Sequence, residues 1–108
     1  MAMLNVELGD QTVAVNVPEA MVQDAHDFFR SVDGDMDRGW QMNRVWVDRP
    51  DRLQRCQIVA DRLHTAIEQN NQQLATLLAA YILSALPDTA RVVVDMEGNM
   101  QDTEFVAD

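Results

Sequence analysis

The stretch MLNVELGDQTVAVNV, residues 3–17, holds two apolar, β-branched runs on either side of Gly9-Asp10. Runs of this length around a two-residue turn signal predict a β-hairpin, with 3–8 as one strand and 11–17 as the other. The far end of the chain repeats the theme. Residues 91–96 (RVVVDM) and 100–106 (MQDTEFV) flank Glu97-Gly98-Asn99 and predict a second hairpin. Two hairpins at opposite ends, with helical patterns between them, predict an α+β fold. The expected packing is one four-stranded antiparallel sheet backed by three to four helices, all in a single domain spanning residues 1–108.

Moving inward, Pro18 and Glu19 suit a helix start, since proline fits the first turn and an acid favours the positive end of the helix dipole. Met21, Val22, Ala25, Phe28, Phe29 and Val32 then recur at three- and four-residue spacing and predict an amphipathic helix over 18–32, stopped by Gly34. From Pro50 the same period returns through Leu53, Cys56, Val59, Ala60, Leu63, Ala66 and Ile67, predicting a helix to about residue 69. Asn71 is placed to cap a further helix over 72–86. That helix is apolar almost all round, which requires burial on several sides. The segment 36–48 reads two ways. Met36, Trp40 and Val47 would line one side of a short helix, whereas Trp40, Met42 and Trp46 alternate as a strand requires.

With 108 residues, 47% of them apolar, the chain can bury a core without disulfides, and its single Cys56 can form none internally. Nothing at the start has a basic region followed by an apolar run of signal length, and the longest apolar stretch, 77–83, is too short to cross a bilayer. A cytoplasmic protein with no membrane partner is expected. Lysine is absent altogether, which removes the phosphate-gripping, Schiff-base and general-base lysines from the possible chemistries. The glycines are scattered and form no phosphate-cradling loop.

The formal charge of −10 is unevenly spread. Residues 1–37 carry eight acids and Arg30 (−7), residues 38–62 carry six arginines and three acids (+3), and residues 63–108 carry seven acids and Arg91 (−6). Acidic flanks of this size repel phosphate, so nucleic acid is not the expected partner even though Arg38 and Arg44 alternate with Trp40 and Trp46.

Three chemistries compete for the remaining residues. Asp33, Asp35 and Asp37 alternate in a DGDMD loop, an oxygen-rich pattern that suits Ca²⁺ or Mg²⁺. Counted as a helix–loop–helix calcium motif, however, the sixth and twelfth positions hold Arg38 and Arg44, where glycine and glutamate are required. A solvated acidic loop is the plainer reading. Nucleophilic catalysis lacks a direct dyad, because Cys56 and His64 are eight residues apart on one helix, about 12 Å along its axis, and His26 meets Cys56 only if tertiary packing brings the two together. Arginine, tryptophan and methionine are enriched at protein interfaces, and Met36, Trp40, Met42, Arg44, Trp46, Arg52 and Arg55 crowd into one segment. Ile58 joins them, on the helix face opposite Cys56 and Leu63. The expected function is therefore a small interaction or regulatory module without a catalytic centre, homodimeric, binding a protein partner and needing no cofactor. A divalent-metal activity at Asp33, Asp35 and Asp37 is the alternative. A further one is an acidic mimic of nucleic acid, using the charge outside 38–62.

Overall fold

The computed structural model describes residues 2–107 and has an α+β fold. Ala2–Leu8 (β1) and Gln11–Val17 (β2) form the predicted N-terminal hairpin, paired residue for residue from Ala2↔Val17 to Leu8↔Gln11. Arg91–Val94 (β5) and Glu104–Val106 (β6) pair antiparallel at the other end. The four strands make one sheet in the order β2-β1-β5-β6, but β1 and β5 run parallel. The expected antiparallel sheet is thus a mixed one. Alternation in the sequence reports which face of a strand is buried, whereas its direction depends on how many times the intervening helices cross the sheet. The second hairpin also opens wider than expected. The Asp95 carboxylate accepts from the backbone N–H of Glu97 (3.2 Å) and of Asn99 (2.8 Å), turning the chain away from the ladder into a 3₁₀ turn, Met100–Asp102.

Between the hairpins lie four helices and a small ribbon. The helix expected over 18–32 is bent into Glu19–Asp24 (α1) and His26–Asp37 (α2) at Ala25 (φ −88, ψ 33). Backbone bonds cross the bend, from Ala25 N–H to Met21 O and from Phe29 N–H to Ala25 O. Gly34 does not stop α2, which continues another turn because Val32 and Met36 are buried on the same side. Segment 36–48 resolves into a helix end followed by a two-stranded ribbon, Trp40–Met42 (β3) and Val45–Val47 (β4), turning at Asn43 (φ 58).

Arg52–Glu68 (α3) starts at a reciprocal cap in which Asp51 Oδ1 accepts from Gln54 N–H and Gln54 Oε1 accepts from Asp51 N–H. Gln72–Ala85 (α4) is capped by Asn71 as the sequence predicts, with Asn71 Oδ1 accepting from Leu74 N–H at 3.2 Å. Helices α3 and α4 pack side by side, α4 against β2 and α3 against β5, while α1 covers α4. The all-round apolar helix is therefore enclosed by its own chain. Leu4, Val6, Val17, Leu63, Leu78, Ile82 and Val92 are among the fully buried side chains of this core.

Candidate functional site

The three aspartates expected in a loop sit on the last turns of α2, where the helical period separates them. Asp33 and Asp37, one turn apart, share a face; Asp35 points elsewhere and is exposed. A cation already occupies the shared face. Arg55 of α3 donates from Nη1 to Asp33 Oδ1 at 3.1 Å and from Nη2 to Asp37 Oδ1 at 2.8 Å, and its Nε donates to Pro50 O at 2.8 Å. The Tyr81 hydroxyl of α4 donates to the same Asp33 Oδ1 at 2.5 Å. Burial alone would lower the Arg55 pKa, and the bonds to Asp37 and Asp33 more than reverse it. Burial, reinforced by the Asp33 bond, pushes the Tyr81 hydroxyl well above its ordinary value. Among the described residues, no group of three or more His, Cys, Asp or Glu side chains could hold a metal ion. The structure does not bring Asp33, Asp35 and Asp37 together around one point, because all three lie on a helix and two of them bind an arginine.

The predicted contact residues divide into two sets. Met36, Met42 and Ile58 are core residues, with Ile58 only 1% exposed. Cys56, Gln57, Ile58, Val59 and Ala60 are all buried, and five successive residues turn a helix through more than a full circle, so α3 has no free face at this level. The expectation of an exposed Ile58 assumed that one side of α3 meets solvent. In fact α3 meets α4, β5 and the 100–102 turn, and through Arg55 it also meets α2. Arg55 is likewise committed internally.

Trp40 is half-buried, while Arg44, Trp46 and Arg52 are exposed, and all but Arg52 lie on the ribbon. The ribbon is fixed at its base. Gly39, with φ 99, lets the chain leave α2 and puts its own N–H on Met36 O at 3.0 Å. The Trp46 indole packs against it, so closely that a β-carbon at position 39 would be 2.5 Å from Trp46 Cζ2. Trp46 Nε1 donates to Asp48 Oδ1 at 2.8 Å, and Gln41 Nε2 donates to Asn43 O at 3.0 Å. Although placed this firmly, Trp46 remains 55% exposed, beside Val45 at 52%.

Arg38 and Arg49, both exposed, flank the ribbon in the chain and were not among the predicted contact residues, whereas Leu53, 50% exposed, lines the groove along β6. The arginines differ from Arg55 in one respect. Arg38, Arg44, Arg49 and Arg52 have no ion pair among the described residues, while Arg55 and Arg91 do. The signal in the sequence was the +3 charge of 38–62, which local pairing does not cancel.

Reactive side chains are kept apart or quiet. Burial pushes the Cys56 thiol up to about 12, the reverse of what activates a nucleophile. His64 bonds its helical neighbour Glu68 at 2.6 Å. No helix among the described residues is long and apolar enough to cross a membrane. Two grooves flank the sheet, one of about 360 Å³ along β2 and one of about 590 Å³ along β6. No protein-family model matches the chain, and neither a curated protein nor a solved structure is significantly similar to it.

Proposed function

We propose that this protein is a non-catalytic interaction module whose contact face is the β3–β4 ribbon with its surrounding arginines, and whose partner is a protein presenting an acidic segment. One observation carries this reading. Val45 and Trp46 stand more than half exposed on a ribbon held by the Gly39 contact and the Trp46–Asp48 bond, close in the chain to arginines without ion pairs among the described residues. An exposed tryptophan held in one orientation loses little freedom on binding, and arginine with tryptophan is the pairing that dominates interface energetics. Unpaired guanidinium groups are open to bidentate carboxylates. The quiet state of Cys56 and the internal use of Asp33 and Tyr81 support binding rather than catalysis.

Affinity capture from native lysate tests this, with the wild type compared against Trp46→Ala and Arg44→Glu, both at exposed positions that leave the core intact. A protein retained by the wild type, lost with either variant and eluted by rising salt is the expected result. The reading falls if all three baits retain the same proteins. It also falls if nuclease treatment abolishes capture, which would point to nucleic acid instead.

A further inference from the structure

Sheets expose their outermost strands, and this one treats its two edges differently. The β6 edge is three residues long and carries Glu104. Short length and charge are usual defences against strand addition. The β2 edge has neither of them. Its seven residues, QTVAVNV, contain no charge and no proline in a chain of formal charge −10, and its register with β1 is continuous, without a bulge.

Backbone alternation fixes which groups of β2 are free. Leu8↔Gln11 closes a two-residue turn and is a hydrogen-bonded pair, so Gln11, Val13, Val15 and Val17 direct their N–H and C=O groups toward β1. Thr12, Ala14 and Asn16 direct theirs outward. Asn5, opposite Ala14, agrees with this alternation, since its N–H turns away from β2 to reach Ala90 O at 3.0 Å. The groove of about 360 Å³ confirms what the outward groups face. It is lined by four consecutive residues, 13–16, which a strand can present only along its backbone edge, and its opposite wall is the uncharged α3–α4 corner at Asn70, Asn71 and Gln72.

We propose that this edge pairs with the β2 edge of a second copy, antiparallel about a two-fold axis through Ala14, to give a continuous eight-stranded sheet. Self-complementarity selects the second copy over a foreign strand. About that axis, Ala14 meets the partner's Ala14 and Thr12 meets the partner's Asn16, so every outward backbone group is matched and the polar side chains pair on the exposed face. Val13 falls opposite the partner's Val15 on the buried face. Charge does not oppose the pairing within the strands, because β2 carries no charged side chain although each copy carries −10. The two-fold places both sets of helices on one side of the sheet, where the uncharged α3–α4 corners face each other. A second copy is thereby one partner of the interaction module proposed above, on a surface separate from the ribbon.

The full chain is examined by sedimentation equilibrium with amide hydrogen exchange. A dimer is expected at micromolar concentration, with the Thr12, Ala14 and Asn16 amides protected. Ala14→Pro removes an outward N–H and no β1–β2 bond, and Ala14→Glu sets like charges across the axis; each should raise the dimer dissociation constant by at least about tenfold with unchanged far-UV circular dichroism. Thr12→Lys combined with Asn16→Glu sets opposite charges across the pair and should keep the dimer. A wild type that is monomeric throughout the micromolar range overturns the proposal. So does a dimer indifferent to both Ala14 variants. If the dimer is lost instead in Trp46→Ala, self-association belongs to the ribbon, and if Ala14→Pro abolishes only capture of another protein, the edge takes a foreign strand.

Discussion

Gly34, in the last turn of α2, and Gly39, two residues past its end, respond oppositely to an added methyl group. At Gly34 the helical backbone suits any residue and a β-carbon meets nothing within 4 Å. Gly34→Ala should stabilise the protein by about 1 kcal/mol, the usual difference in helix propensity. At Gly39 the φ of 99 and the Trp46 ring 2.5 Å from the added carbon act together. Gly39→Ala should lose about 2 kcal/mol or more, and Trp46→Ala in that background should return the steric part while leaving the backbone part. Urea unfolding of the four proteins separates the two contributions. A second residue-scale effect concerns alkali. Burial raises Cys56 from 9.0 to about 12, and burial with the Asp33 bond raises Tyr81 above 10.0. The unfolded chain then releases protons that the folded chain keeps, so stability is fully present below about pH 9 and falls as pH climbs toward 12. Cys56→Ala should flatten the first part of that fall and leave the part starting near 10, where the tyrosine of the unfolded chain, but not of the folded one, loses its proton. An unchanged slope in urea midpoints would refute the assignment.

At the level of elements, Arg55 binds the start of its own helix through Pro50 O and the end of α2 through Asp33 and Asp37, and Tyr81 adds α4 to the same cluster. Arg55→Ala should cost about 2 kcal/mol, a discounted value for charged hydrogen bonds because the carboxylates keep substantial contact with water. Arg55→Lys should recover only part, since an ammonium cannot span two carboxylates as a guanidinium does. Asp33→Asn should cost more than Asp37→Asn, because Asp33 also accepts from Tyr81 and is 43% rather than 61% exposed. Equal losses in urea unfolding would mean the tyrosine bond contributes nothing. The same cluster shows what sequence could and could not reveal. The first hairpin, α3 and α4 were legible because each has a long period or a capping residue, and Cys56 was correctly read as buried. Extension of α2 past Gly34 was not, since a glycine's local cost is overridden by the burial of Met36 beyond it. Once α2 reaches Asp37, an acid pair one turn apart appears, and its arginine lies in another helix at a distance no local pattern measures. The ribbon stayed ambiguous because strands of three residues barely establish an alternation.

Across the whole molecule, charge acts on the two proposed surfaces with opposite sign. The formal −10 hides a segment, 38–62, in which only Arg55 forms an ion pair among the described residues, so the proposed ribbon contact would attract acids while the net charge acts to repel other copies. The β2 edge and the α3–α4 corner contribute no charge to their contact, and there only the long-range repulsion between copies remains for salt to screen. Raising ionic strength from about 0.01 M to about 0.1 M shortens the screening length from about 30 Å, comparable to the 35 × 34 × 27 Å extents of the molecule, to about 10 Å. The dimer dissociation constant should therefore fall over that range while the dissociation constant for an acidic partner on the ribbon rises. The monomeric Ala14→Glu variant should also melt at a higher temperature, because screening relieves self-repulsion among its acids. Sedimentation and partner titration at matched salt concentrations read the two constants separately. Constants that move in the same direction would mean that one charged surface serves both contacts, which the uncharged edge of β2 cannot do.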